Sequence, residues 1–358
     1  MNEQQSKHYF LGANTADGFY SLYDSLVSLK DGDFLRVIKG GAGCGKSSFM
    51  RMIAASAERA GLAVEYAVCS GDPDSLDGIY IPELKTAYMD GTAPHSADTN
   101  LTAADSCYLD LGQFYDCGAI AEYKNELLNY KRENSLQYKK AYSLLSAAGS
   151  LRRNWLSTFP RQEDVNSAEK RVGGIIRREL GTRHRAGGKV TKRFLSALTC
   201  RGHFDFQDTA LAACRRFYLF ESKLGLAPFM LKAVAESALN SGFDILLCLD
   251  PLTPEMPEAV LIPGISLGFV SSGSVLSGLP SARRIHLDPK GEDAPQKTRR
   301  SELLRCEKLT AALINEAVAS LGDAKIIHDK LERIYNPNVD FDGVYALCAK
   351  HIHDLGLK

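Results

Sequence analysis

Apolar positions along this chain keep two rhythms and then settle into one. "DFLRVIKG" (33–40) is a short apolar run, and "SSFMRMIAASAERAG" (47–61) spaces its apolar residues three and four apart. That pattern predicts a strand followed by an amphipathic helix closed at Gly61. "LAVEYAVCS" (62–70) reads as a second strand and "LKTAYMDG" (84–91) as a third. Apolar strands separated by helix predict a parallel sheet covered on both faces. From about 117 to 180 the spacing is helical throughout, and it is so again at about 300–358, which predicts an antiparallel helical arm in each region.

The rhythm also repeats at long range. "YFLGANTADGFYSLYDSL" (9–26) aligns with "RFLSALTCRGHFDFQDTA" (193–210), matching Phe10 to Phe194, Leu11 to Leu195, Thr15 to Thr199 and Gly18 to Gly202. Asp72-Pro73 falls opposite Asp250-Pro251. "NELLNYKRENSLQYKKAYSLL" (125–145) matches "SELLRCEKLTAALINEAVASL" (301–321), with Leu127 opposite Leu303 and Leu145 opposite Leu321. With the loop regions between them also aligned, Gly43 opposite Gly225, four matches in the same order predict a tandem duplication of an α/β unit. The first copy spans 1–180 with its arm at about 117–180, 181–192 is a basic linker, and the second copy spans 193–358 with its arm from about 300. Because Thr15, Gly18 and a following aromatic recur, "GANTADGF" (12–19) is read as a packed turn before the first helix.

Between the first strand and helix lies "GGAGCGKS" (40–47), which fits G-x-x-x-x-G-K-[ST] without mismatch. The glycines let the backbone fold into a nest of N–H groups facing phosphate oxygens. Gly40, Gly41, Ala42, Gly43, Cys44, Gly45, Lys46, Ser47 and Ser48 are therefore the expected nucleotide-binding residues. Lys46 would reach the β- and γ-phosphates, the Ser47 hydroxyl suits Mg²⁺, and the following helix points its positive end at the same anion.

The second copy serves as an internal comparison. "YLFESKLGLAPFML" (218–231) has the same strand–turn–helix pattern, but Ser222, Ala227, Pro228 and Phe229 stand where Gly40, Gly45, Lys46 and Ser47 stand in the first. Proline has no N–H to offer and phenylalanine occupies the metal position, so this reads as a former phosphate loop kept for packing. Asp90, closing the third strand, is lost in the same copy, where Ser271 or Ser272 replaces it. That joint loss makes Asp90 the expected Mg²⁺-shell carboxylate, acting with Lys46 in catalysis. Asp72-Pro73 survives in the second copy and reads as a structural turn, which leaves Asp74 as a further metal candidate. His95 is a candidate γ-phosphate sensor, and no glutamate follows Asp90 to activate water.

These stretches, with "DPDSLDGIYIPELKTAYMDGTAPH" (72–95), resemble a bacterial family of tandemly duplicated P-loop ATPase-like proteins. The resemblance covers essentially the whole chain and implies a P-loop fold and ATP binding. It departs from the family at 222–229, where a second loop would be expected.

Composition narrows the choice of partners. The 358 residues are 45% hydrophobic and 24% charged with a formal net charge of zero, so no overall field favours nucleic acid or anionic membrane. No run approaches the ~20 apolar residues of a membrane span, and the polar N-terminus has no signal-peptide pattern. Nine cysteines stand singly with no CxxC pair, as expected of thiols in a reducing cytoplasm. The expected function is a Mg²⁺-dependent ATPase with one live site. In it the second copy acts as a built-in partner, with Arg215, Arg216, Arg283 or Arg284 as the candidate arginine. The alternatives are a small-molecule kinase with the basic 170–193 stretch as a lid, and a nucleotide-gated switch meeting a protein partner through its helical arms.

Overall fold

The computed structural model describes residues 6–92, 101–181, 187–272, 278–279, 282–289 and 297–358. The chain is α/β, with two mixed six-stranded sheets. In the first half, β1 (Lys7–Phe10) leads into a hairpin of β2 (Gly12–Thr15) and β3 (Gly18–Ser21). Then come β4 (Phe34–Lys39), α1 (Lys46–Arg59), β5 (Glu65–Val68), β6 (Leu76–Ile81), β7 (Thr86–Asp90) and β8 (Ser106–Asp110). Three helices follow: α2 (Cys117–Glu122), α3 (Lys124–Thr158) and α4 (Gln162–Leu180).

The second half begins with β9 (Val190–Arg193), β10 (Ser196–Thr199) and β11 (Gly202–Asp205). It continues with α5 (Gln207–Ala213), β12 (Arg216–Glu221), α6 (Ala227–Asn240), β13 (Ile245–Leu249), β14 (Pro257–Ile262), β15 (Leu267–Ser271) and β16 (Arg283–His286). It ends with α7 (Lys297–Tyr335) and α8 (Phe341–Asp354).

The strand order is β1-β5-β6-β7-β4-β8 in one sheet and β9-β13-β14-β15-β12-β16 in the other, the same succession twice. Neither sheet is purely parallel, because β6 and β14 each run against both neighbours. Chain length explains the departure. The link from β5 to β6 is a short turn closed by the Ser75 N–H on the Asp72 carbonyl, whereas a parallel return needs a crossover of about a dozen residues. Residues 12–19 lie in the β2–β3 hairpin, and two 3₁₀ turns (Tyr23–Ser25 and Leu29–Asp31) rather than an α-helix follow it in the first half.

Helix α1 forms where Phe49, Met50, Ile53, Ala54 and Ala57 recur on one face, and all five are buried. Gly61 at φ +81° closes it by donating its N–H to the Glu58 carbonyl. The halves meet at a reciprocal pair: Phe10 N–H donates to Phe194 O at 2.8 Å, and Phe194 N–H to Phe10 O at 3.1 Å.

Long helices α3 and α7 pack along each other, and each then crosses to the opposite half. Helix α4 lays Ala168, Val172 and Ile175 on Met230, Leu231 and Val234 of α6. Helix α8 lays Val344 and Cys348 on Phe49 and Ile53 of α1. The arms are thus exchanged: the first half's arm covers α6 of the second half, and the second half's arm covers α1 of the first.

Candidate functional site

The turn between β4 and α1 depends on its glycines. Gly40, Gly43 and Gly45 have φ of 156°, 68° and 84°, values that side chains with a Cβ rarely adopt. Gly45 caps α1, and the first intrahelical bond runs from Phe49 N–H to Gly45 O. The preceding N–H groups of Lys46, Ser47 and Ser48 are those a helix start leaves without intrahelical partners.

Lys46 folds back over the turn. Its ammonium donates to Gly40 O at 2.9 Å and Gly41 O at 2.7 Å, and it lies 3.7 Å from Asp90 Oδ2. Asp90 Oδ1 accepts the Thr92 N–H at 2.8 Å, and the Thr92 hydroxyl donates to Gly40 O. Ser47 Oγ accepts the Leu76 N–H at 3.0 Å. Cys44 is buried and donates weakly to Gly41 O. Burial pushes its thiol pKa above the ordinary value despite the opposing Lys46 charge, so it is held as an unreactive thiol.

Ala42 through Ser48 line a cavity of about 720 Å³, and Asp90 lies on the same wall. The opposite wall comes from the arms: Lys131, Asn134, Tyr138 and Tyr142 of α3, and Lys325, His328 and Glu332 of α7, with Asn336 and Phe341 beyond. Ser70 lines the cavity too, and its Oγ is buried with no hydrogen-bond partner among the described residues. So does Asp77, whose Oδ2 accepts the Tyr23 hydroxyl at 2.6 Å.

The structure therefore brings together Lys46, Ser47 and Asp90. Asp74 is outside the cavity wall, its exposed carboxylate paired with Arg201. Asp72 closes the turn by accepting the Asp74 N–H and pairs with Lys325 at 3.2 Å. Asp250 does the same in the second half, accepting the Leu252 N–H and pairing with Arg152. None of Arg215, Arg216, Arg283 and Arg284 lines the cavity; Arg216 pairs with Glu179 and Arg284 with Glu221. His95 lies outside the described residues. Among the described residues no group of three or more His, Cys, Asp and Glu side chains forms a metal centre by itself.

The turn of the second half is filled from within. Asp288 Oδ1 accepts the Ser222 hydroxyl at 2.6 Å and the Leu224 N–H at 3.4 Å, and its Oδ2 accepts the Lys223 N–H at 2.8 Å. By strand register Asp288 answers to Gly112, because Leu287 N–H donates to Glu221 O as Leu111 N–H donates to Lys39 O. A carboxylate of the chain itself thus occupies the concave side of this turn, where the first half has only a glycine.

The exchanged arms reach the two turns differently. A Cβ on Gly225 would lie 2.6 Å from Leu156 and 3.9 Å from Trp155 of α3, and one on Gly43 would lie 2.2 Å from Asn336 and 3.4 Å from Tyr335 of α7. Higher up, Gly149 faces Ala16 and Gly322 faces Cys200, with Arg152 and Lys325 pairing three residues on. From those glycines α3 takes six residues to reach Trp155, whereas α7 takes thirteen to reach Tyr335. The seven additional residues are two helical turns, about 10 Å of extra length over the first half's cavity. Glu332 lies within them.

His328, Glu332 and Asn336 were not legible as site residues, since an exposed charged stripe on a long helix reads as a solvated face. The signal that could have found them is the unequal length of the two arms. His328 Nε2 stands 3.5 Å from Glu332 Oε1. That contact, assisted by Lys325 and Lys46, holds the Glu332 carboxyl below its ordinary range.

Comparison with known proteins gave no match among protein-family models, curated proteins or solved structures.

Proposed function

We propose that this chain is a P-loop protein that binds ATP with Mg²⁺ at the turn 40–48 and hydrolyses it slowly, with a tandem second copy whose own turn is degenerate. The observation that carries the reading is the joint position of Lys46, Ser47 and Asp90 around a glycine turn that opens on a cavity. Resemblance to the duplicated P-loop ATPase-like proteins supports the same reading.

The residues present fit such a ligand. Three N–H groups at the start of α1 and the Lys46 ammonium are donors for phosphate oxygens, and the buried Ser70 hydroxyl offers a further donor on the cavity wall. Ser47 Oγ has a second lone pair beyond the one facing Leu76, and Asp90 is partly exposed, so the pair would hold Mg²⁺. When bound, the metal supplies positive charge against the negative charge that develops on the phosphate oxygens. Lys46 would exchange its two loop carbonyls for phosphate oxygens, and Asp90 would keep the ammonium oriented.

The test is equilibrium binding of Mg²⁺-ATP together with phosphate release, for the natural protein beside Lys46→Ala. Loss of a charge-assisted contact of about 1.5–3 kcal/mol predicts affinity weaker by roughly 10–100-fold and release abolished. Equal binding by both proteins would sink the reading. A second reading, a nucleotide-gated switch without significant turnover, is favoured by one observation: Asn336 of the exchanged arm seats against Gly43 of the turn. Nucleotide-dependent change in shape without phosphate release would select it. A small-molecule kinase remains the third reading, and release of diphosphate only when an acceptor is present would select that.

A further inference from the structure

We propose that Glu332, carried by the two extra turns of α7, is the carboxylate that aligns and deprotonates the attacking water, with His328 as its positioning residue. The inference rests on the nucleotide reading of turn 40–48. It assigns to the second half's arm the chemical group that the first half lacks.

Among the described residues, every other carboxylate lining the cavity is committed. Asp90 has Lys46 on one oxygen and the Thr92 N–H on the other, and Gly91 follows it. Asp77 is buried against the Tyr23 hydroxyl, and Asp72 is held by its turn and by Lys325. Glu332 instead is half-exposed toward the cavity shared with Lys46 and Ser47. It stands one turn past His328 on the same helix face, the spacing at which one side chain orients the next. The shorter α3 meets the second turn with Trp155 and Leu156 and supplies no such carboxylate, in the half where Asp288 already fills the turn.

The step balances without a further reactant. Glu332 takes a proton from water as the water oxygen bonds to the terminal phosphorus. The bond from that phosphorus to its bridging oxygen breaks, and Lys46 holds the charge left on the diphosphate. The products are diphosphate and inorganic phosphate. A positioned base of this kind is worth roughly 10²–10⁴ in rate.

The experiment compares the natural protein with Glu332→Gln and Lys46→Ala in full-length form. It measures Mg²⁺-ATP affinity, phosphate release, and which nucleotide is recovered from the protein after desalting. Glu332→Gln keeps the side-chain shape on a half-exposed helix face, and an unchanged unfolding midpoint certifies its fold. The expected result is affinity within about threefold of the natural protein, release slower by about 100-fold or more, and triphosphate rather than diphosphate retained. Release at the natural rate, or diphosphate recovered from Glu332→Gln, overturns the inference and leaves the nucleotide reading intact. Binding without release by the natural protein overturns it equally. Failure of the natural protein to bind overturns both, and where it does bind, Lys46→Ala shows whether that binding depends on the turn. His328→Ala should slow release less than Glu332→Gln while leaving affinity alone.

Discussion

Asp288 accepts the Ser222 hydroxyl at 2.6 Å, closing the second half's turn around a negative charge that belongs to the chain. Two backbone N–H groups, of Lys223 and Leu224, point at the same carboxylate. Nests of this kind favour anions whatever their source.

Replacing that charge should therefore cost stability and add no ligand. Asp288→Ala leaves donors with no acceptor and is expected to lower unfolding free energy by about 1–3 kcal/mol. Pro228 still lacks an N–H, so a titration with Mg²⁺-ATP should stay at no more than one site per chain. Denaturant unfolding and calorimetric stoichiometry check the two halves of this prediction; a second binding site in the variant would refute it.

Gly43 should be intolerant of alanine for two separable reasons. Its φ of 68° costs a residue with a Cβ about 1–2 kcal/mol, and that Cβ would lie 2.2 Å from Asn336 Oδ1. Adding Asn336→Ala should recover the steric part only. A double-mutant cycle is expected to give a coupling of about 0.5–3 kcal/mol; strict additivity would mean that α7 does not press on the turn in solution.

Acid should weaken the fold through three histidines. Burial lowers the pKa of His8, His203 and His351 below the ordinary 6.5, so the unfolded chain takes up protons that the folded chain refuses. Stability is then fully present above about pH 6.5 and falls as pH drops through the folded-state values. His351 packs edge-on against Phe49 and Tyr88, so His351→Phe keeps the ring while removing one titrating site. Urea midpoints at about pH 7.5 and about pH 5.5 should converge in this variant relative to the natural protein. An unchanged gap would place the acid sensitivity elsewhere.

Thiol reactivity should separate two cysteines sharply. Cys44 is buried with its pKa raised by desolvation, whereas Cys117 is exposed at the start of α2. Brief treatment with iodoacetamide followed by peptide mapping is expected to label Cys117 and spare Cys44. Early labelling of Cys44 would mean that the turn opens in solution.

Several of these relationships follow from features visible in the sequence, and others do not. The strand–turn–helix around Lys46 was legible because glycine spacing and apolar periodicity agree over one short segment. Strands β6 and β8 were missed: β6 is buried at every position but Tyr80, and its run "LDGIYI" merges with the turn before it. The unlike pairing at Asp288 could not be read, since a carboxylate in a loop carries no mark of the turn that it fills. Nor does an apolar helix face declare which half it will cover. Leu145 and Leu321 share one buried cluster, yet Gly149 against Ala16 has its counterpart in Gly322 against Cys200, a register that only packing decides.

The exchange of arms also governs how the chain can be made. Helix α1 stays uncovered until α8, beginning at Phe341, has been synthesised, and α6 needs α4 from the earlier half. Neither half can finish its core as a separate folding unit during translation. Contacts so distant along the chain are slow to form and leave apolar surface open meanwhile. A ribosome-bound chain halted before Phe341 should therefore remain a client of chaperones, however complete its first sheet.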